Sequence, residues 1–437
     1  MKGLSLVATV GRVAPWQGLS RAAAALLPIL LADWFGRSAA TDLYSLVCAL
    51  FALVGSLIFS CFKDSALVPV LIDVERGKPG ELPRLVGAVI AYAMATAAAL
   101  ALLFGAGVVV WFRGHAPATL APMVAPLAVG FSMALFALAL RSLLSTLLAA
   151  RFHFVADALG TAAGAVATLG VAAALHGRGI AAIPFAVAFG ELVSVVLLGL
   201  GVRASGLRVQ LNWRRTPELM RLSRLVAAEI GGAAVVRVNP LVDQIMAQAL
   251  GIVGGGTLLR LSGDLAHAGT SLLGPLFLSV LLSHLATAGA VGDRRTFSVT
   301  LARSLWTVTA LLGVLTVLGI VFRDPLVRLV YGRGAMDEAA LLRMGRLLPF
   351  HLVGLAPLGA LMVLARAHVS LGNSRILVGM GAMNAALNVA LNVALSGPLA
   401  LEGIALSTSI VNVVVAIVFW CRLEGVVRTS LLEERRA

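Results

Sequence analysis

A chain of 437 residues that is 60% hydrophobic and 12% charged carries about half the charge of an average soluble protein. Its mean hydropathy of +0.99 excludes an ordinary water-soluble globule. The formal net charge of +14 would suit a nucleic-acid partner, but the basic residues sit in short gaps between apolar runs, so nucleic acid is excluded.

A bilayer core about 30 Å thick needs roughly 20 apolar residues per spanning helix. Runs of that kind predict spans near 15–35, 43–62, 85–112, 123–150, 154–175 and 180–202, then near 225–250, 257–285, 299–322, 347–366, 376–395 and 399–421. Backbone groups inside hydrocarbon must bond within their own segment, so these runs predict helices. The expected fold class is an all-α polytopic membrane protein, with about 12 transmembrane helices in two six-helix lobes around a central cavity. The lobes are 1–202 and 225–437, joined by a basic linker at 203–224 that contains Arg203, Arg208, Arg214, Arg215, Arg221 and Arg224. Two such halves suit alternating access in a transporter.

The gap charges set an orientation. The even-numbered gaps and the tail hold most of the arginines, including Arg76, Arg84, Arg151, the linker set, Arg294, Arg295 and Arg422. Positive-inside asymmetry therefore places both termini in the cytoplasm. The cluster Arg323, Arg328, Arg333, Arg343 and Arg346 breaks the pattern. It marks either a short outward helix at the headgroups or a slip in the count of spans. Met1–Ser20 lacks the layout of a cleavable signal, so the first span is expected to remain in the mature protein. Cys48, Cys61 and Cys421 show no paired spacing, which argues against a disulfide framework or a metal cluster.

Charges at membrane depth cost several kcal/mol unless paired or wet, so they mark candidate sites. The first span carries Arg21, which either snorkels toward the headgroups or holds a phosphate by a forked contact. Span seven carries Glu229, Arg237 and Asp243, with Asn239 and Gln244 nearby; span eight carries Arg260, Asp264 and His267. Arg260 and Asp264 are four apart and share a helix face. This density predicts either a water-filled cavity or a salt bridge that pins the helices. Span eleven presents Asn384, Asn388 and Asn392 at i, i+4 and i+8, one polar stripe suited to interhelical hydrogen bonds or to an oxygen-rich contact with a cation or substrate. Gly254-Gly-Gly-Thr lacks the Lys of a phosphate-binding loop, and no His-Glu-x-x-His occurs, so neither ATP hydrolysis nor zinc-protease chemistry is expected.

Several motifs carry a resemblance. Phe35-Gly-Arg-Ser-Ala-Ala-Thr-Asp42 is followed by Ser65-Ala-Leu-Val-Pro69-Val-Leu, then Val238-Asn-Pro-Leu-Val-Asp243-Gln-Ile and Leu329-Val-Tyr-Gly-Arg-Gly334. Asn384-Ala-Ala-Leu-Asn388 and Glu402-Gly-Ile-Ala-Leu-Ser-Thr408-Ser complete the series. In this order they resemble the MurJ/MviN lipid II flippases, within the multidrug/oligosaccharidyl-lipid/polysaccharide exporter superfamily. The resemblance implies a bacterial inner-membrane flippase for an undecaprenyl-pyrophosphate-linked glycan, either lipid II or an exopolysaccharide- or O-antigen-type oligosaccharide. It implies no catalytic residues, a lipid partner, and glycan-synthesis enzymes as neighbours.

By the same resemblance, Arg21 and Asp42 fall on the family's first-helix arginine and Thr-Asp aspartate. Arg237, Arg260 and Asp264 join them as substrate-binding candidates. Family arginines are replaced at Leu27 and Gly55, and near Asp264 by a reversed charge, and the two C-terminal helices that form a lipid groove in MurJ-like members are not expected here. Some members bind sodium between helices seven, eleven and twelve, which implies a sodium site at Asp243, Asn384, Asn388 and Thr408 and no other cofactor. A cation-coupled multidrug antiporter of the same superfamily and a non-transporting scaffold for glycan synthesis remain as alternatives.

Overall fold

The computed structural model describes residues 6–60, 67–77, 79–114, 117–207, 209–224, 226, 237–270, 294–371, 373 and 375–434. Among them every regular element is a helix. Among the described residues, nine helical stretches are long and apolar enough to cross a membrane, from Gly11–Phe35 to Ile376–Leu423. Leu102, Val110 and Trp306 stand at least 70% exposed on such stretches, a large cost in water and none in hydrocarbon. The molecule is an all-α, multi-pass membrane protein.

The chain forms two compact units, 1–35 with 39–234 and 36–38 with 235–437. In the first, α1 (Leu6–Phe35), α2 (Ala39–Ser60), α4 (Leu82–Arg113), α5 (Ala121–Ala150), α6 (Phe154–Leu175) and α7 (Ile183–Ala204) coincide with the first six predicted spans. α6 has the bounds that hydropathy predicts. α3 (Leu67–Gly77) was not anticipated as a helix within the polar gap at 63–84; its buried Leu67, Val70, Leu71 and Val74 follow the i, i+3, i+4, i+7 pattern of an amphipathic helix. The core of this unit layers Tyr44, Val47, Leu127, Phe131, Leu135 and Ile183. α6 and α7 approach so closely that a Cβ on Gly164 or on Gly190 would lie 2.5 Å from the other's carbonyl oxygen. Small residues permit this backbone approach, which substitutes for hydrophobic driving force inside a bilayer.

The linker residues 203–224 group with the first unit because they are tied to α4. Gln210 N donates to Pro83 O at 3.0 Å, and Asn212 Nδ2 to Arg84 O at 2.8 Å. A helix at 217–224, α8, follows. The division into units falls after Ala234, ten residues beyond the 225 expected from span boundaries.

The second unit contains α9 (Asn239–Ala249), α10 (255–270), α11 (Arg294–Val321), α12 (Arg323–Tyr331), α13 (Glu338–Leu352), α14 (Leu355–Ser370) and α15 (Arg375–Glu434). The basic cluster after span nine includes a short helix, α12, which carries Arg323 and Arg328. Asp337 caps α13 by accepting from Ala340 N at 3.0 Å. The predicted span at 347–366 crosses a break at Val353–Gly354, between α13 and α14. α15 is two helices joined at Ala400 (φ 51, ψ −128), two residues after Pro398 and two beyond the junction at 396–398 predicted between the last two spans. Phe297, Leu301, Val363, Val411, Val415 and Phe419 form its core, where α11, α14 and α15 meet.

Candidate functional site

The polar groups of the second unit gather where α9 meets α15. Pro240 occupies the first turn of α9, where its missing N–H costs nothing, and Asp243 lies one turn later. Opposite, Asn388 and Asn392 are fully buried on α15, and Ser407 and Thr408 follow beyond the Ala400 break. Asn392 Nδ2 donates to Asp243 Oδ1 at 2.7 Å, and Thr408 Oγ1 donates to Asp243 Oδ2 at 3.3 Å. Asn392 Nδ2 also reaches Asn388 Oδ1 at 3.3 Å, while Ser407 Oγ donates to Asn392 Oδ1. Asn384 points elsewhere, accepting from Asn239 Nδ2 one turn away. Of the four predicted cation ligands, the structure thus brings together Asp243, Asn388 and Thr408, with Asn392 standing where Asn384 was expected.

A carboxylate with only neutral hydrogen-bond partners calls for a counter-charge at membrane depth. Among the described residues, each partner of Asp243 is an amide or a hydroxyl. The side-chain oxygens of Asp243, Asn388, Asn392, Ser407 and Thr408 match the all-oxygen preference of a small hard cation, so the donor set fits sodium. A cation there would supply charge neutralisation and tie α9 to both halves of α15. Among the described residues no cluster of three His, Cys, Asp or Glu suits a metal ion.

A second polar group lies along α10. Asp264 has Arg260 and His267 within electrostatic reach. The His267 and His351 rings stand edge to face at 6.4 Å, and Tyr331 Oη donates to Leu261 O at 3.2 Å. Arg237 precedes α9 and is half-buried, and Glu229 lies outside the described residues. In the first unit Arg21 is half-buried midway along α1, and Asp42 is buried in the first turn of α2, where a carboxylate favours the helix N-terminus.

The sequence reading passed over one intramembrane ion pair. Arg141 Nε on α5 donates to Glu191 Oε2 on α7, both mostly buried. Each is a lone charge in an apolar run, a signal as clear as the one that singled out Arg21. Near one end of the same helices Arg151 Nη1 meets Glu75 of α3 at 2.5 Å.

The family model for lipid II flippase MurJ matches residues 31–433. Solved structures share the fold. A lipid II flippase MurJ in an inward closed conformation superposes with a TM-score of 0.78 at 16% identity, covering 94% of this chain and 87% of that one. An inward-facing multidrug resistance MATE family transporter gives 0.72 at 12% identity, covering 100% and 98%. A MATE transporter from Vibrio cholerae gives 0.63 at 13% identity, covering 97% and 98%. None of the curated proteins compared matches the chain.

Proposed function

Since the chain belongs to the lipid II flippase MurJ family, we propose that it moves a polyprenyl-pyrophosphate-linked glycan across the bacterial inner membrane by alternating access, with both termini in the cytoplasm. The observation that carries this reading is the family match, which runs through both units from 31 to 433. Only the polar head needs shielding as it crosses; the polyprenyl tail stays in hydrocarbon. In this reading no covalent bond is made or broken.

Arg21 and Asp42 are the proposed substrate contacts of the first unit, Arg21 for the phosphate. Arg237, Arg260 and Asp264 serve the glycan in the second unit. Replacement of family arginines by Leu27 and Gly55 leaves less positive charge for the pyrophosphate, which favours a head different from lipid II itself. Sodium bound at Asp243, Asn388, Asn392 and Thr408 biases one access state by its differential affinity for the two.

The test is flipping of a fluorescent polyprenyl-pyrophosphate-linked sugar in proteoliposomes of the purified protein, with efflux of a cationic dye measured in parallel. Glycan flipping that falls in Arg21→Lys, where charge is kept and the planar fork lost, supports the reading. Dye efflux without glycan flipping would instead favour the antiporter, a reading the MATE-like fold also supports. Neither activity, with normal expression and melting, would leave the scaffold.

A further inference from the structure

The segment 209–216 runs beside the start of α4, and Tyr92 Oη donates to Trp213 O at 2.9 Å while their rings meet edge to face at 5.4 Å. α8 then docks by Leu222, which packs in one cluster with Leu82, Leu85, Leu147, Leu148 and Val202. Those partners are the first turn of α4 and the last turns of α5 and α7, so α8 sits level with the ends of three membrane helices. That is headgroup depth, where Trp and Tyr concentrate.

The opposite face of α8 presents Pro217, Met220, Arg221 and Arg224 at i, i+3, i+4 and i+7, and these four line a cavity of 420 Å³. Met220, Arg221 and Arg224 are exposed, as are Leu211, Trp213, Arg214 and Arg215 just before them. No carboxylate lines the cavity among the described residues. Two guanidinium groups three residues apart on one face repel each other weakly, and an anion between them turns that repulsion into attraction. The apolar Met220 and Pro217 beside them fit an amphiphile better than a fully hydrated anion.

We propose that this cavity binds the headgroup of an anionic phospholipid, its phosphate between Arg221 and Arg224 and the start of an acyl chain against Met220 and Pro217. The site fixes the linker to the membrane surface and is separate from the residues proposed to handle the transported glycan.

The test uses the full-length protein in detergent, titrated with phosphatidylglycerol, phosphatidylcholine or inorganic pyrophosphate, with binding read by native mass spectrometry and melting temperature. Phosphatidylglycerol should bind and stabilise, and Arg221→Gln with Arg224→Gln should weaken it about 30-fold, roughly fivefold per arginine. Arg113→Gln, an exposed arginine at the far end of α4, should change nothing. Equal binding of phosphatidylcholine, or an unchanged affinity in the double variant, overturns the proposal. Pyrophosphate binding as tight as phosphatidylglycerol, and lost in the same variant, overturns the lipid assignment in favour of a free-phosphate site. Should the double variant melt early without lipid, Arg221→Lys with Arg224→Lys keeps the charge and should keep most of the phosphatidylglycerol binding.

Discussion

Arg37 grips Asp337 with two nitrogens, Nε to Oδ1 and Nη2 to Oδ2, each at 3.0 Å, while the same Oδ1 caps α13. The turn 36–38 belongs to the second unit and is tightly enclosed there: a Cβ on Gly254 would lie 2.6 Å from Arg37 Cβ, and one on Gly36 (φ +56) would collide with Ala335 O. One exposed carboxylate therefore orders both a turn and a helix start.

This pair predicts an acid-sensitive contribution to stability. The hydrogen bonds from Arg37, then that from Ala340 N, hold the Asp337 carboxyl below its ordinary value. A depressed carboxylate stabilises the fold above its unfolded pKa, and that contribution fades as pH falls through the folded value. Melting temperature measured from pH 6 to pH 3 should therefore drop more steeply in wild type than in Asp337→Asn. Asparagine still caps a helix, so the difference isolates the ion pair; Asp337→Ala should cost about 1 kcal/mol more at neutral pH. Parallel pH curves for wild type and Asp337→Asn would contradict this.

The Arg141–Glu191 pair predicts non-additivity. Removing one partner strands a charge between packed helices, so Arg141→Leu should destabilise by roughly 3 kcal/mol. The double variant Arg141→Leu with Glu191→Leu should recover most of that loss, because the stranded charge is gone. Equilibrium unfolding in detergent of both single variants and the double variant checks the coupling.

At the proposed cation site the geometry ranks the asparagines. Sodium should raise the melting temperature above that in potassium at equal ionic strength. Asp243→Asn and Asn392→Ala should abolish the difference, while Asn384→Ala should keep most of it because Asn384 pairs with Asn239. Identical melting in sodium, lithium and potassium would remove the site.

Gly87 predicts how the linker is held. A Cβ there would overlap the Gln210 carbonyl, a backbone group pinned by its neighbours' hydrogen bonds. Gly87→Ala should push the linker off α4 at a cost of about 1–3 kcal/mol. Trypsin should then cut after Arg214 or Arg215 several-fold faster; unchanged cleavage would show that the linker yields freely.

Spans were legible in sequence because the cost of placing a charge or an unbonded peptide group in hydrocarbon is set residue by residue along the chain. That local rule placed α6 at 154–175, and the last junction at 396–398, within two residues of the break at Ala400, without any tertiary information. It also marked Asp243 and the asparagine stripe as costly, hence as candidates. α3 was equally local, its 3.6-residue period plain once the gap at 63–84 is read as a helix rather than as polar spacing. What only the tertiary structure decided is which costly groups meet. The stripe offers Asn384, Asn388 and Asn392 equally, and the crossing of α9 over α15 sets Asn392 against Asp243, 149 residues away, and leaves Asn384 to Asn239. Arg141 and Glu191 are 50 residues apart on separate helices and become a pair only because α5 packs on α7. Helix spacing orders groups along one face; the partner across that face is fixed by how side chains and small residues let two helices approach, which no single stretch of sequence contains.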